Sequence, residues 1–125
     1  VTLPKDLLEK IDSLIKSLNY SSRSEAIRDA ITGFITEYKA TEAIKGEIMG
    51  IITLIYNHDQ VGLLNKLTDV EHFARDLIKS SLHFHLDEKH CLEVIIAEGR
   101  AEKIKAIVEK LIILKGVSQV KLTVA

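Results

Sequence analysis

Ser81 to Glu93 reads SLHFHLDEKHCLE, which places three of the chain's five histidines and its only cysteine between His83 and Cys91. Imidazole nitrogens and a thiolate are ligands for borderline and soft divalent metals, so the question is whether the spacing lets them converge. Ser81 to Leu86 alternates polar and apolar, which predicts a strand with Leu82, Phe84 and Leu86 facing a core and His83 and His85 on the opposite face. Leu92, Val94 and Ile96 repeat the alternation. Joined through Asp87, Glu88, Lys89 and His90, the two strands form an antiparallel hairpin, and a register centred on Glu88 sets His85 opposite Cys91 and His83 opposite Glu93. Directly opposed Cβ atoms lie only ~5 Å apart, a span that one ion bridges. A lone cysteine is usually a small buried hydrophobe and a lone strand histidine a hydrogen-bonded one. Two imidazoles and a thiol on one face point instead to metal.

A fourth donor comes from the preceding segment. Leu63, Leu67, Val70, Ala74 and Leu77 recur at helical spacing, within a helix expected over residues 60–79. At about 100° per residue, His72 falls on the far side of that helix. It points away from its own sheet, where a neighbouring subunit is better placed to use it. Taken alone, His72 also reads as a solvated surface residue.

These elements sit within 125 residues that are 46% hydrophobic, enough for one ordinary domain or two small ones. The longest apolar runs fall far short of a membrane span, and no signal-peptide pattern opens the chain. One cysteine makes no intramolecular disulfide, and a ligand thiolate is best kept where thiols stay reduced. A soluble cytoplasmic protein is expected. The chain begins at Val1 rather than Met, so a few further residues are expected before it. Net charge is −1, which gives no bulk attraction to nucleic acid.

Val1, Thr2 and Leu3 alternate as the end of a short strand would. Pro4 suits a first helical turn, and Leu7, Leu8, Ile11, Leu14, Ile15 and Leu18 then keep helical spacing as far as Asn19. Ser22, Arg23, Ser24 and Glu25 read as a capping box that opens a second helix, whose apolar face is Ala26, Ile27, Ala30, Ile31, Phe34 and Ile35. A unit of strand, helix and helix this small cannot build a sufficient core alone and has to dimerise. The run from Ser22 to Ile31 resembles that of a ribbon-helix-helix DNA-binding domain, in which two chains pair their strands into a ribbon that enters the major groove. The resemblance implies base reading by Thr2 and phosphate contacts by Ser22, Arg23, Ser24 and Arg28, at amides and cations near a helix N-terminus. Charge in residues 1–40 is balanced, so Arg23 and Arg28 read equally as partners of Glu25 and Asp29 on a solvated face.

The expected boundaries are residues 1–40 for this domain, 41–46 for a linker and 47–125 for a second domain. Ile48 to Tyr56 is rich in β-branched residues and reads as a buried strand. The helix bearing His72, the hairpin, a helix from about Glu98 to Leu114 and a strand from Ser118 to Val124 follow. The fold class is therefore α+β, a ribbon-helix-helix domain followed by a βαββαβ ferredoxin-like (ACT-like) domain. One face of such a sheet carries helices and the other is left for a partner, which is expected to be the face with His83, His85 and Cys91.

A ribbon-helix-helix unit followed by βαββαβ with His83-x-His85 and then Cys91 resembles the nickel-responsive transcriptional repressors (NikR) over nearly the whole chain. The resemblance implies one Ni(II) per subunit, held by His83, His85 and Cys91 of one chain and His72 of another. It also implies an outer shell of Tyr56, His58 and Glu93, and a further cation between the domains at Glu25 and Asp29. Those two carboxylates stand four apart on one helix and read equally as helix N-terminal charges. The implied partners are double-stranded operator DNA with two half-sites and three more copies of the chain, as a homotetramer built from two dimers. Glu71 stands where the family often has an amide, as do Ser21 and Ser22 before the Arg-Ser-Glu run.

Three alternatives follow from the same residues. One is a regulator of this fold that answers to Zn, Cu, Co or a small molecule; a metal hydrolase needs an open coordination position and a general base, and no base is evident; an antitoxin whose second half binds a toxin leaves His83, His85 and Cys91 without a role. No enzymatic activity is expected.

Overall fold

The structure is a computed structural model that describes residues 2–125, so the Val1 end of the expected strand lies outside it. The chain divides into two compact units, residues 1–43 and 44–125.

The first unit consists of α1 (Lys5–Leu18) and α2 (Arg23–Ala43). Asn19 ends α1 in the left-handed conformation, φ 58°, which asparagine tolerates better than most residues. Ser22 caps α2, its hydroxyl accepting from the Glu25 amide at 3.2 Å. The return bond of the expected box goes elsewhere: the Glu25 carboxylate accepts from the Ser21 amide at 2.8 Å and from the Ser21 hydroxyl. Helix α2 continues through Thr41, Glu42 and Ala43, beyond the expected start of the linker. Neither helix buries a residue, and Leu7, Leu14, Leu18, Ile31, Phe34 and Ile35 stay exposed. Two amphipathic helices without a third layer leave their apolar stripes open.

The second unit is β1 (Glu47–Asn57), α3 (Leu63–Phe73), β2 (Ile78–His85), β3 (His90–Arg100), α4 (Ala101–Ile112) and β4 (Val117–Val124). The sheet order is β2-β3-β1-β4, antiparallel throughout. This is a βαββαβ arrangement. Boundaries shift most from expectation around β2 and β3. Helix α3 stops at Phe73 and the chain turns over residues 74–77, so β2 starts at Ile78 rather than Ser81; Glu98 to Arg100 belong to β3 rather than to α4. No helix among the described residues is long and apolar enough to cross a membrane.

The core lies between the helices and one sheet face. Ile52, Leu54 and Tyr56 of β1 and Cys91, Glu93, Ile95 and Ala97 of β3 are buried there with Leu63, Leu67, Ile104, Ile107 and Leu111. Residues paired across antiparallel strands share a face. His83 pairs with Glu93 and His85 with Cys91, so both histidines project on the helix-covered side. The other face carries Leu82 and Phe84, each about half exposed, with Leu92, Val94 and Ile96. This reverses the expected sidedness. On β3 both residue sets are apolar apart from Glu93, so alternation does not identify the covered face; that depends on where the crossovers of β1-α3-β2 and β3-α4-β4 seat their helices.

Candidate metal centre

The register builds the site in rows across three strands. Tyr56, Cys91 and His85 lie side by side in one row, and Leu54, Glu93 and His83 in the next. Cys91 is 1% exposed, while His85 and His83 sit on the edge strand in contact with solvent. Nδ1 of His85 lies 3.5 Å from Sγ of Cys91. His83 turns toward the Tyr56 hydroxyl, 3.3 Å from Nδ1, and its ring stands 5.7 Å from that of His85.

The loop after β1 brings in a third donor. The His58 amide donates to the Lys89 carbonyl at 2.8 Å, and its side chain meets the Glu88 carbonyl through Nε2. Asp87 fixes the hairpin tip, its Oδ1 accepting from the amides of Lys89 at 2.8 Å and His90 at 2.7 Å. Those bonds hold the Asp87 carboxyl below its ordinary pKa. As a result, His58, His85 and Cys91 offer ligand atoms within 4.8 Å of one another. Two imidazoles and a thiol at that separation fit a borderline divalent metal, which is the donor chemistry the sequence predicts.

Beneath the donors lies a buried carboxyl. Glu93 is 6% exposed and shares a hydrogen bond with Glu71 of α3. Burial and then the Glu71 carboxyl push the Glu93 pKa up to about 8. Burial, together with the nearby Glu93 and Cys91, also raises the Tyr56 hydroxyl well above its ordinary range. The Glu71 contact was not evident in the sequence; the signal available was an acidic residue one position before His72 on the helix that covers this face.

His72 lies on the exposed side of α3, in a shallow hollow with Asp69, Phe73, Arg75 and Asp76, apart from the three-donor group. In the first unit, Thr2, Ser22, Ser24 and Arg28 are exposed. Arg23 is held by Asp12 through two bonds of 2.7 Å. Glu25 accepts from Ser21, and Asp29 accepts from the Tyr20 hydroxyl.

Residues 49–125 match the family described as "NikR C terminal nickel binding domain", and residues 1–38 match "Ribbon-helix-helix protein, copG family". The chain belongs to the nickel-responsive regulator family. It is 51% identical over 125 residues to a protein provisionally named nickel-responsive regulator from Methanococcoides burtonii, covering 100% of this chain and 89% of that one. To a protein of the same provisional name from Methanocella arvoryzae it is 50% identical over 123 residues, covering 98% and 88%. Among solved structures, the ACT domain of the GTP pyrophosphokinase of Chlorobium tepidum superposes with a TM-score of 0.52 at 19% identity, covering 62% of this chain and all of that domain. That likeness concerns the fold alone. Family and fold thus agree with the α+β, ribbon-helix-helix and ACT-like reading, and the family is one of regulators rather than enzymes.

Proposed function

We propose that the protein is a nickel-dependent transcriptional repressor whose ion is shared between subunits. His83, His85 and Cys91 of one chain and His72 of a neighbour supply three imidazole nitrogens and one thiolate, one ion per subunit. In a plane this set suits Ni(II) or Cu(II), whereas Zn(II) favours a tetrahedron. The observation that carries the reading is the pairing of His83 and His85 with Glu93 and Cys91 on one face, in a chain of a nickel-binding family. Support for a shared site comes from His72, which lies exposed on α3 and is not part of its own chain's donor group.

Within the site each residue has a task. The Cys91 thiol gives up its proton to solvent when it ligates, which makes affinity fall at low pH. Tyr56 holds His83 through its hydroxyl and Glu93 lies beside it, so both orient donors rather than supply them. With His72 committed to a neighbouring chain, α3 and the hairpin are ordered together, and the two-unit chain is biased toward an arrangement that binds operator DNA. A coupling of ~1–3 kcal/mol, roughly 5- to 150-fold in operator affinity, is ordinary for such a switch.

The assembly is a homotetramer of two dimers in the cytoplasm. The open apolar stripes of α1 and α2 support pairing of the first unit, and the exposed Leu82 and Phe84 support pairing of the second. Two ribbon dimers then meet two half-sites, with Thr2 reading bases and Ser22, Arg23, Ser24 and Arg28 gripping phosphate. Any cation at Glu25 and Asp29 has to displace Ser21 and Tyr20 from those carboxylates.

The test is operator binding, using a duplex selected from a randomised pool with nickel-loaded protein. Nickel-dependent binding by the parent and its loss in Cys91→Ser support the switch. Equal binding by metal-free protein, nickel protein and the variant refutes it.

A further inference from the structure

Arg23 is the first residue of α2, and its guanidinium lies against Asp12 of α1. The contact is a fork in which Nε donates to Oδ1 and Nη2 to Oδ2, each at 2.7 Å. We infer that Asp12 is a positioning residue for DNA binding: it sets the guanidinium so that the opposite edge holds a backbone phosphate, which deepens the phosphate role proposed above for Arg23 and rests on it.

A guanidinium carries five N–H donors in one rigid plane. Asp12 engages the Nε hydrogen and one hydrogen of Nη2, which leaves both hydrogens of Nη1 and the second of Nη2. These lie along the Nη1–Nη2 edge, where two parallel bonds can meet a second oxyanion. Pairing with Asp12 therefore does not exhaust Arg23. It restrains a long side chain in one orientation before DNA arrives, so less rotamer freedom is lost on binding. In return, the bonds from Arg23 hold the Asp12 carboxyl below its ordinary pKa.

Two effects of Asp12 oppose each other. As an anion near the binding surface it repels phosphate, and as the holder of Arg23 it lowers the cost of ordering. Salt separates them, since screening at about 0.15 M weakens repulsion over some 8 Å while a contact at hydrogen-bond distance persists. The side chains of Arg23 and Asp12 are 54% and 43% exposed, and ion pairs this open contribute little to stability. Substitution of Asp12 thus leaves the fold in place for a binding measurement.

The test compares parent, Asp12→Asn, Arg23→Ala and the double variant as full chains, on the selected operator and on an unrelated duplex, at about 0.15 M salt with nickel present and absent. Asp12→Asn removes a negative charge, which by itself strengthens binding to DNA, yet it should weaken binding about threefold or more on both duplexes. Asparagine keeps the shape but offers one acceptor where the fork needs two. In the Arg23→Ala background the same change should no longer weaken binding. Side-chain proton–nitrogen spectra of the parent, which need no variant, should show the Arg23 Nε–H as protected from solvent exchange in the DNA complex as in the free chain. Unchanged or tighter binding by Asp12→Asn overturns the inference, as does an equal loss with and without Arg23. Loss of Nε–H protection on DNA overturns it too, because phosphate then displaces Asp12. If Arg23→Ala itself binds like the parent, the phosphate role fails and the positioning role with it. The need for nickel is read from the paired measurements, so the metal switch stands or falls separately.

Discussion

Sγ of Cys91 and Nδ1 of His85 face each other at 3.5 Å across β2 and β3, on the sheet face that the helices cover. One donor is buried against the core and the other stands on the edge strand, so the pair joins a rigid half to an adjustable half. Packing fixes the thiol, while ligation can recruit the edge histidines at little cost to the core.

Glu93 makes the metal-free second unit sensitive to pH. Its folded pKa is raised to about 8 from an ordinary value near 4.5, so the protonated form favours the fold. The stability this proton contributes is fully present below the ordinary value and is lost as pH rises through about 8. Melting of the metal-free protein should therefore fall between pH 6 and pH 9, and Glu93→Gln, which stays neutral, should flatten that slope. An unchanged slope in the variant removes Glu93 as its source.

Ile104 is fully buried on α4 and packs near Gly50 of β1. Truncation to Ala leaves a cavity between helix and sheet, with a cost of about 2–5 kcal/mol in denaturant unfolding. A loss below ~1 kcal/mol means that α4 is not seated as described.

Arg23 reaches Asp12 in the unbound unit. If its role on DNA is to hold phosphate, Arg23→Ala should weaken binding by similar factors across operator and unrelated duplexes and reduce the salt slope by about one. A selective loss on the operator alone points to base reading instead.

Much of this was legible in the sequence because hairpin geometry is local. The turn from Asp87 to His90 sets the register that pairs His85 with Cys91, and alternation places the donors on one face. Which face the helices cover was not legible, since Leu92, Val94 and Ile96 are as apolar as Cys91, Ile95 and Ala97. The residue pattern alone did not place His58 beside His85, although the family resemblance implied that it stands in the outer shell of the site. That place depends on the Lys89 and Glu88 carbonyls holding a loop 30 residues away in sequence, and no periodic pattern encodes such a contact. The Glu71–Glu93 hydrogen bond is likewise a product of helix-on-sheet packing.

The most direct test of an ion shared between chains is complementation between two defective variants. His72→Ala lacks the donor lent to a neighbour, and Cys91→Ser lacks the thiolate of the receiving trio; neither alone should form the planar nickel-thiolate chromophore. After equal amounts exchange subunits, roughly a quarter of the sites combine an intact trio with an intact His72, for random pairing, and that fraction of the parent absorption should appear. If the mixture stays colourless although exchange is verified, or if His72→Ala alone matches the parent, the ion is not held between subunits.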